Sequence, residues 1–355
     1  MRSGSWNGTA DAVFRGGGVQ GLALIGALEG FASHERWPFD SWINVAGTSA
    51  GAVLACYIAY DRRPGVGRRM LDVLDPERLG SFGDFPYGRK YVGGLPRLFA
   101  RRGMASGRSF EAWLDGVLEH STFDLVRPDD GTDDWTRARL KLIACDATNR
   151  RLLVLPEDLP RYRLPGSRAP IDPASFPIAK AVRMSTSIPF IFEPVQLERI
   201  TDDAGGRVPP TPASIVDGGI LSNFPVWLFD TPEPRRPTFG FTIDGGAVVG
   251  AGFARIGRSL PWPLRFGLDI LHTAQDAWDA RFVSRSTSVR TVTVSATVRN
   301  PDGTPYAVRS TEFDVSDAAQ AQLIENGRAA ATRFLDAFDP AAHVNTFNAH
   351  VPMID

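Results

Sequence analysis

One serine of the chain stands in a setting that can activate its hydroxyl for chemistry. Ser49 is the centre of Gly47-Thr48-Ser49-Ala50-Gly51, which fits the pattern G-x-S-x-G. In this pattern the serine sits on a sharp turn between a strand and a helix, and the flanking glycines keep side chains from colliding there. The positive end of the following helix favours negative charge beside the hydroxyl. The sequence predicts a nucleophile elbow, and the alternative is a glycine–serine turn without chemistry.

The residues on either side of Ser49 have the composition that an elbow needs. Ile43 and Val45 belong to a short apolar run with β character, and an alanine-rich helical stretch follows from Ala50. No charged residue occurs from Ser41 to Tyr60, which is long enough to raise the question of a membrane span. Because Asn44 and the polar and glycine residues of the turn interrupt this stretch, we interpret it as a buried strand–turn–helix.

A second glycine-rich turn precedes the elbow. The strand Ala10–Phe14 leads into Arg15-Gly16-Gly17-Gly18-Val19-Gln20-Gly21, and an apolar helix begins at Leu22. Such a turn presents backbone N–H groups to an anion, and it also fits G-x-G-x-x-G. A dinucleotide site would need an acidic residue after the second strand, where this chain has the elbow instead. We therefore favour an oxyanion hole that faces Ser49, formed by Gly16, Gly17, Gly18, Val19 and Gly21.

A serine nucleophile also needs a base, and the chain offers two kinds. Of its five histidines, only His343 and His350 come late enough in the sequence for the usual order, and neither has a distinctive setting. The other candidate is Asp217 in Asp217-Gly218-Gly219, which follows the predicted strand Ala213–Val216. A free aspartate, with a pKa near 3.9, is a poor base, but partial burial would raise that pKa. Chemistry alone leaves both pairings open.

Four motifs in this order resemble the patatin-like phospholipase family. They are Gly16-Gly17-Gly18-x-x-Gly21, Gly47-x-Ser49-x-Gly51, Met184-Ser185-x-Ser187-x-Pro189-x-x-Phe192-x-Pro194 and Asp217-Gly218-Gly219. The resemblance covers Ala10 to about Phe229 and continues loosely into Phe313–Phe338. It implies a three-layer α/β/α hydrolase fold with a central, mostly parallel sheet.

The resemblance also implies roles for particular residues. Ser49 would be the nucleophile and Asp217 its base, with Gly218 and Gly219 in the loop of the base. Backbone N–H groups from Gly17 to Val19 would stabilise the oxyanion, and Ser185–Pro194 would shape the wall of the cleft. No cofactor and no metal is implied. One departure is Gln20, where the family often has a basic residue.

Composition indicates an ordinary globular protein. The chain has 355 residues, a net charge of -1 and 43% hydrophobic residues, so bulk charge gives no support to nucleic-acid binding. We predict one domain over residues 10–338, with tails at 1–9 and 339–355. Within it, 61–134 would form a helical excursion over the cleft. Residues 247–268 would form a lid or membrane contact, or alternatively a buried connector.

These observations predict a serine-dependent lipid acyl hydrolase that cleaves ester bonds of phospholipids or related acyl lipids. Two cysteines in apolar runs and the absence of a secretory signal pattern favour the cytoplasm, with peripheral membrane contact. Two alternatives stay open. One is a catalytically silent relative that binds lipid or a partner, and the other is a Ser-His-Asp esterase that uses His343 or His350.

Overall fold

The computed structural model describes residues 8–73, 98, 100–202, 204–231, 234, 236–244, 289–308, 315–340 and 343. The strands in chain order are β1 (Thr9–Phe14), β2 (Ser41–Thr48), β3 (Gly103–Ala105), β4 (Leu140–Asp146), β5 (Arg151–Leu155), β6 (Tyr162–Arg163), β7 (Phe190–Phe192), β8 (Val195–Thr201), β9 (Arg207–Asp217), β10 (Thr238–Asp244), β11 (Thr291–Ser295), β12 (Thr297–Arg299) and β13 (Pro305–Ala307). The α-helices are α1 (Gly21–Ser33), α2 (Ala50–Tyr60), α3 (Val66–Val73), α4 (Arg108–Val117), α5 (Ile178–Ser185) and α6 (Asp317–Asp336).

A nine-stranded sheet forms the centre of the fold. Its order is β11-β10-β1-β2-β4-β9-β8-β6, and β5 pairs with β4 off this path. The five strands from β11 to β4 pair in parallel, while β9, β8, β6 and β5 are antiparallel to their neighbours. The predicted mixed α/β fold with a central, mostly parallel sheet is confirmed.

Helices α1, α2 and α6 pack with the sheet into the main hydrophobic core. Phe31 of α1 is fully buried and stacks edge-on against Phe239 and Phe241 of β10, with ring centroids 5.0 and 5.1 Å apart. Aromatic pairs in this geometry contribute beyond the apolar area that they bury. The apolar strands and the apolar face of α1 that the sequence indicates therefore meet in one core.

The terminal helix α6 is joined closely to α1. A Cβ at Gly26 would lie 2.0 Å from the carbonyl oxygen of Ile324, and one at Gly327 would lie 2.0 Å from that of Ala23. Only glycine allows two helix backbones to approach so closely. Helix α6 is consequently an integral part of the same fold.

Strand β9 is longer than the predicted strand Ala213–Val216. It begins at Arg207, and its pairing with β8 extends from Arg207 to Ile215. Among the described residues, the first half of β9 pairs with β8 alone, since β4 pairs with Ile215–Asp217. Prolines are tolerated on such a free strand edge because no neighbour requires their missing N–H.

The structure does not fully describe two of the predicted segments. The excursion 61–134 contains α3 and α4 in its described part, and its role over the cleft stays a prediction. The segment 247–268, predicted to be a lid, a membrane contact or a buried connector, lies outside the described residues. No helix in the described ranges combines the length and the apolar character needed to span a bilayer.

Candidate active site

Ser49 lies on the turn between β2 and α2 in a sterically unusual backbone conformation. Its φ is 54° and its ψ is -123°, a combination that non-glycine residues rarely adopt. A Cβ at Gly47 would lie 2.1 Å from the carbonyl oxygen of Gly51, and one at Gly51 would lie 2.3 Å from that of Phe14. The two glycines are required because three backbone segments cross at this turn. Thr48 and Ala50 complete it, as the last residue of β2 and the first of α2.

The register of β4 explains how Asp217 reaches this turn. Strand β5 pairs with one edge of β4, which leaves β2 and β9 on the other edge. The two run toward each other along that edge, and β2 ends with Thr48 opposite Ile143 while β9 ends with Asp217 opposite Ala144. Because Ile143 and Ala144 are consecutive residues, the ends of β2 and β9 meet head to head. Ser49 and Asp217 are thereby brought together.

The carboxyl of Asp217 is buried and only partly satisfied. The residue is 4% exposed, and its Oδ1 accepts a hydrogen bond of 2.7 Å from the N–H of Gly219. Oδ2 is buried without a hydrogen-bond partner among the described residues, although the Ser49 hydroxyl is near enough to favour the ionised carboxylate. Burial outweighs both contacts and raises the pKa of Asp217 from 3.8 to about 6. The serine hydroxyl and the aspartate carboxyl are therefore close neighbours in the fold.

The glycine-rich turn lies directly against the elbow. A Cβ at Gly16 would come within 3.1 Å of Ser49 Cβ, so the two turns are in contact. The N–H of Gly16 donates to the carbonyl of Asn223 at 3.1 Å, and that of Gly21 bonds back to Gly18 and Val19. Gly18 has a positive φ of 55° and begins a short 3₁₀ helix, Gly18–Gln20. The N–H groups of Gly17, Gly18 and Val19 precede the hydrogen-bonded part of this helix.

Gln20 and Arg15, two polar side chains of this turn, bond to later parts of the chain. Gln20, where the resemblance leads us to expect a basic residue, donates through Nε2 to the carbonyl of Val308 at 2.7 Å. Arg15 donates through a terminal nitrogen to the carbonyl of Ile243 at 3.1 Å. Both side chains tie the turn to later parts of the chain.

Thr48, Ser185 and Ser187 hold the elbow and the aspartate in place through contacts that sequence reasoning did not assign to them. The N–H of Ser49 donates to Ser185 Oγ at 3.1 Å, and that hydroxyl donates to the carbonyl of Ile143 at 2.6 Å. Thr48 Oγ1 donates to the carbonyl of Ser222 at 3.0 Å. The N–H of Asp217 donates to the carbonyl of Ser187 at 2.9 Å. The motif that contains Ser185 and Ser187 was the available signal that this segment belongs to the site.

The segment Ser185–Pro194 is anchored by a buried arginine. Arg183 is 3% exposed, and its guanidinium donates to the carbonyls of Ser106 and Glu193 at 2.6 and 2.8 Å. The guanidinium also lies 5.1 Å from the centre of the Phe192 ring, a cation–π contact. This arginine fixes both ends of the segment to the body of the protein.

The described histidines lie elsewhere. His34 contacts Asp336, and His120 is exposed beside Asp115. His343 is 3% exposed and packs on Phe239 at the start of β10. This is the N-terminal end of the parallel strands, whereas Ser49 lies at their C-terminal end. His272 and His350 lie outside the described residues. In the part of the chain that the structure describes, no three metal-ligating side chains are grouped to hold an ion.

Comparison with known proteins identifies the family of this chain. The family model described as patatin-like phospholipase matches residues 12–230, more than half of the chain. The chain belongs to the patatin-like phospholipase family. The match includes both glycine-rich turns, Ser185 and Asp217.

Two proteins with related sequences are described as uncharacterized. The chain is 37% identical over 235 residues to the uncharacterized protein YqhO of Bacillus subtilis (strain 168), covering 66% of this chain and 70% of YqhO. It is 24% identical over 234 residues to the uncharacterized protein R571 of Acanthamoeba polyphaga mimivirus, covering 64% of this chain and 63% of R571.

Two solved structures are distantly similar to this patatin-like chain. VipD from Legionella pneumophila is 16% identical with a TM-score of 0.46, over 92% of this chain and 67% of VipD. The ExoU–SpcU complex of the Pseudomonas aeruginosa type III secretion system gives 12% identity and a TM-score of 0.39, over 92% of this chain and 51% of the matched chain. The family assignment does not depend on these similarities. Family membership supports lipid hydrolysis in general.

Proposed function

We propose that this protein is a serine lipid acyl hydrolase that cleaves carboxylic ester bonds of phospholipids or related acyl lipids. Ser49 is the nucleophile and Asp217 is the base. The observation that carries the proposal is the head-to-head meeting of β2 and β9 on β4, since it sets a strained serine beside a buried carboxylate. A protein without catalysis would not need both the strained serine and the buried carboxylate.

The charge state of Asp217 suits the task of a general base. With a pKa of about 6, the carboxylate is mostly ionised at neutral pH and still binds a proton more tightly than a free aspartate does. As Ser49 Oγ attacks the ester carbonyl, its proton passes to Asp217 Oδ2, the oxygen that lacks a hydrogen-bond partner among the described residues. The proton then goes to the leaving alkoxide, which departs as the alcohol.

The second half of the reaction uses the same groups. Water donates its proton to Asp217 and attacks the acyl-serine, and the proton returns to Ser49 Oγ as the fatty acid is released. In both halves a negative charge develops on the former carbonyl oxygen. The N–H groups of Gly17, Gly18 and Val19 are the proposed donors to this oxyanion, while the N–H groups of Gly16 and Gly21 are already engaged within the protein.

The alternatives from the sequence are less well supported. A catalytically silent relative would not need the strained φ of Ser49 or the raised pKa of Asp217. A Ser-His-Asp esterase using His343 is disfavoured because that ring packs at the N-terminal end of the parallel strands, while Ser49 lies at their C-terminal end. Because the substrate of a lipid hydrolase lies in a bilayer, peripheral membrane contact belongs to the proposal.

Covalent labelling combined with lipid hydrolysis tests the function. A fluorophosphonate probe should label the wild-type protein and the Ser175→Ala variant, which loses an exposed serine hydroxyl, but not Ser49→Ala. Fatty acid should be released from mixed phospholipid vesicles by the first two proteins only. Labelling of Ser49→Ala at the wild-type rate would refute Ser49 as the nucleophile. A labelled wild type that releases no fatty acid from any lipid would refute the substrate class.

A further inference from the structure

A cavity of about 440 Å³ lies near the beginnings of β2 and β4. Its lining includes Asn44 of β2, Arg139 and Lys141 at the start of β4, and Leu228 and Phe229. Neither Ser49, Asp217 nor any residue of the glycine-rich turn lines it. Its volume is within the range of roughly 300–1,000 Å³ that is typical of small-molecule sites. We call it the Lys141 cavity.

Two cations, Arg139 and Lys141, line the Lys141 cavity. Arg139 and Lys141 are two residues apart on an extended chain, so their side chains leave the same face of the sheet. Each side chain is only 11% exposed. A buried charge is costly unless an opposite charge or hydrogen bonds compensate it.

The acidic groups beside these cations compensate them poorly. Lys141 Nζ lies 3.8 Å from Glu157 Oε2, and Arg139 Nε lies 3.9 Å from Asp129 Oδ1, both beyond hydrogen-bond distance. Arg139 Nε is buried and has no hydrogen-bond partner among the described residues, and a terminal nitrogen of the same group donates to the carbonyl of Leu125. Burial lowers the pKa of both cations. The two cations therefore keep positive charge that their acidic neighbours compensate only in part.

Three of the four other charged residues in the lining have close partners of opposite charge. These pairs are Arg236 with Asp11 at 2.7 Å, Arg137 with Asp130 at 2.6 Å, and Asp230 with Arg290 at 2.6 Å. Asp129 is 82% exposed and points its charge mainly into solvent. The positive charge available to a ligand is therefore that of Arg139 and Lys141.

We propose that the Lys141 cavity binds the phosphate monoester group of a small molecule. A phosphate monoester carries roughly -1.5 to -2 charges at pH 7, which matches two under-compensated cations better than the single charge of a carboxylate does. The Arg139 guanidinium and Lys141 Nζ supply the positive charge, and Leu228 and Phe229 contact the rest of the ligand. This site is independent of ester hydrolysis at Ser49.

Calorimetric titration at constant ionic strength tests the ligand class. Phenyl phosphate supplies the doubly charged group and an apolar ring, benzoate supplies the ring with one charge, and inorganic phosphate supplies the charge without the ring. We expect saturable binding of one phenyl phosphate, with benzoate and inorganic phosphate at least about tenfold weaker. Equal affinity for benzoate would overturn the choice of a dianion, and equal affinity for inorganic phosphate would overturn the choice of an ester.

Matched substitutions test the place of binding. Lys141→Met and Arg139→Gln should each weaken phenyl phosphate binding by roughly tenfold or more, because each removes one charge-assisted donor. Lys180→Met removes a lysine that lies over the Phe176 ring, outside the lining, and should leave binding unchanged. Ser49→Ala should also bind normally, which separates this site from the proposed active site. Unchanged affinity in both cavity variants would refute the proposal.

Labelling of the wild-type protein provides a test that does not depend on how the variants fold. Acetic anhydride should modify Lys141 more slowly when phenyl phosphate is bound, with Lys180 as the internal reference in the same mass spectrum. Equal rates at Lys141 with and without saturating phenyl phosphate would place the ligand elsewhere.

Discussion

The hydroxyl of Ser185 accepts a hydrogen bond from the backbone N–H of Ser49, with 3.1 Å between oxygen and nitrogen. The same hydroxyl donates to the carbonyl of Ile143, so a single side chain joins the elbow to β4. Ser185 is fully buried, and water cannot replace it as a partner. The backbone conformation of Ser49, the proposed nucleophile, therefore depends on a side chain that is distant in the sequence.

Replacing Ser185 by alanine should lower kcat with little effect on KM. The change leaves the N–H of Ser49 and the carbonyl of Ile143 without their partner, and losing such a bond costs about 1–3 kcal/mol, or roughly 5- to 150-fold. Ser49 would then relax away from its strained φ. Steady-state kinetics on a short soluble ester measures the effect without a contribution from membrane binding.

Ser187→Ala is the matched control for this experiment. Ser187 is also fully buried, but its hydroxyl bonds to Arg183 and not to the elbow. We expect it to lower the melting temperature while retaining most of kcat. If both alanine variants lose kcat in proportion to their loss of stability, Ser185 has only a structural role.

The pH dependence of kcat/KM should report Asp217. Only the ionised carboxylate can accept the serine proton, so activity should fall as pH decreases through about 6, the pKa of Asp217, and should be level above it. The same profile is expected for His34→Ala, His120→Ala and His343→Ala. A midpoint that moves in any folded histidine variant would contradict the serine–aspartate pair.

Asp217→Asn should make the protein inactive but more stable at neutral pH. Burial raises the pKa of Asp217 in the fold above its unfolded value, so the stabilising contribution of the neutral carboxyl is present below about 4 and is lost as pH rises through about 6. Asparagine stays neutral at every pH. The rise in the pKa of Asp217 from 3.8 to about 6 corresponds to at most roughly 3 kcal/mol in the free energy of unfolding. Urea unfolding of both proteins above and below this interval measures the difference, which should vanish at the acidic end.

Gly18→Val should lower kcat by about 10²–10³, the usual cost of one lost oxyanion donor. Gly18 has a positive φ of 55°, which a β-branched residue does not tolerate, so the N–H groups of the turn would move. Gly166→Val is the control, because Gly166 also has a positive φ, of 81°, but no atom lies within 4 Å of the added Cβ. Wild-type kcat in Gly18→Val would exclude the turn as the oxyanion hole.

His343→Ala should destabilise the protein and leave kcat per folded molecule unchanged. The imidazole packs between Phe239 and Phe338, with ring centroids 5.8 and 5.6 Å away, and burial lowers its pKa to about 4. Removing a buried ring creates a cavity and typically costs a few kcal/mol. Thermal melting together with active-site titration separates the two effects. A loss of kcat in the folded fraction would revive the histidine alternative.

The elbow could be predicted from sequence because its constraints are local. Gly47, Ser49 and Gly51 lie within five residues, and the need for glycine follows from backbone contacts that any such turn makes. The partner of Ser49 could not be chosen in this way. Asp217 reaches the site only because β9 and β2 share one edge of β4, and this register is fixed by long-range pairing.

The finer allocation of hydrogen bonds is also beyond local reasoning. Gly16 belongs to the glycine-rich turn by pattern, yet its N–H is taken by Asn223, more than two hundred residues away. Ser185 stands in a recognisable motif, but nothing in its spacing identifies the N–H of Ser49 as its partner. The strand character of the first half of β9 could not be predicted, because a sequence with prolines does not tell which strand edge will lack a further neighbour.

The position of β10 between β1 and β11 affects how this gene product can be shortened. The family match ends at residue 230, before β10 and α6 begin. A chain cut at that boundary would expose the hydrogen-bonding edge of β1 and the face of α1 that α6 covers, which invites aggregation. It would also release Arg15 and Gln20 from the carbonyls of Ile243 and Val308 that anchor the glycine-rich turn. We therefore expect a fragment that ends at residue 230 to be inactive, and expression should extend through Phe338.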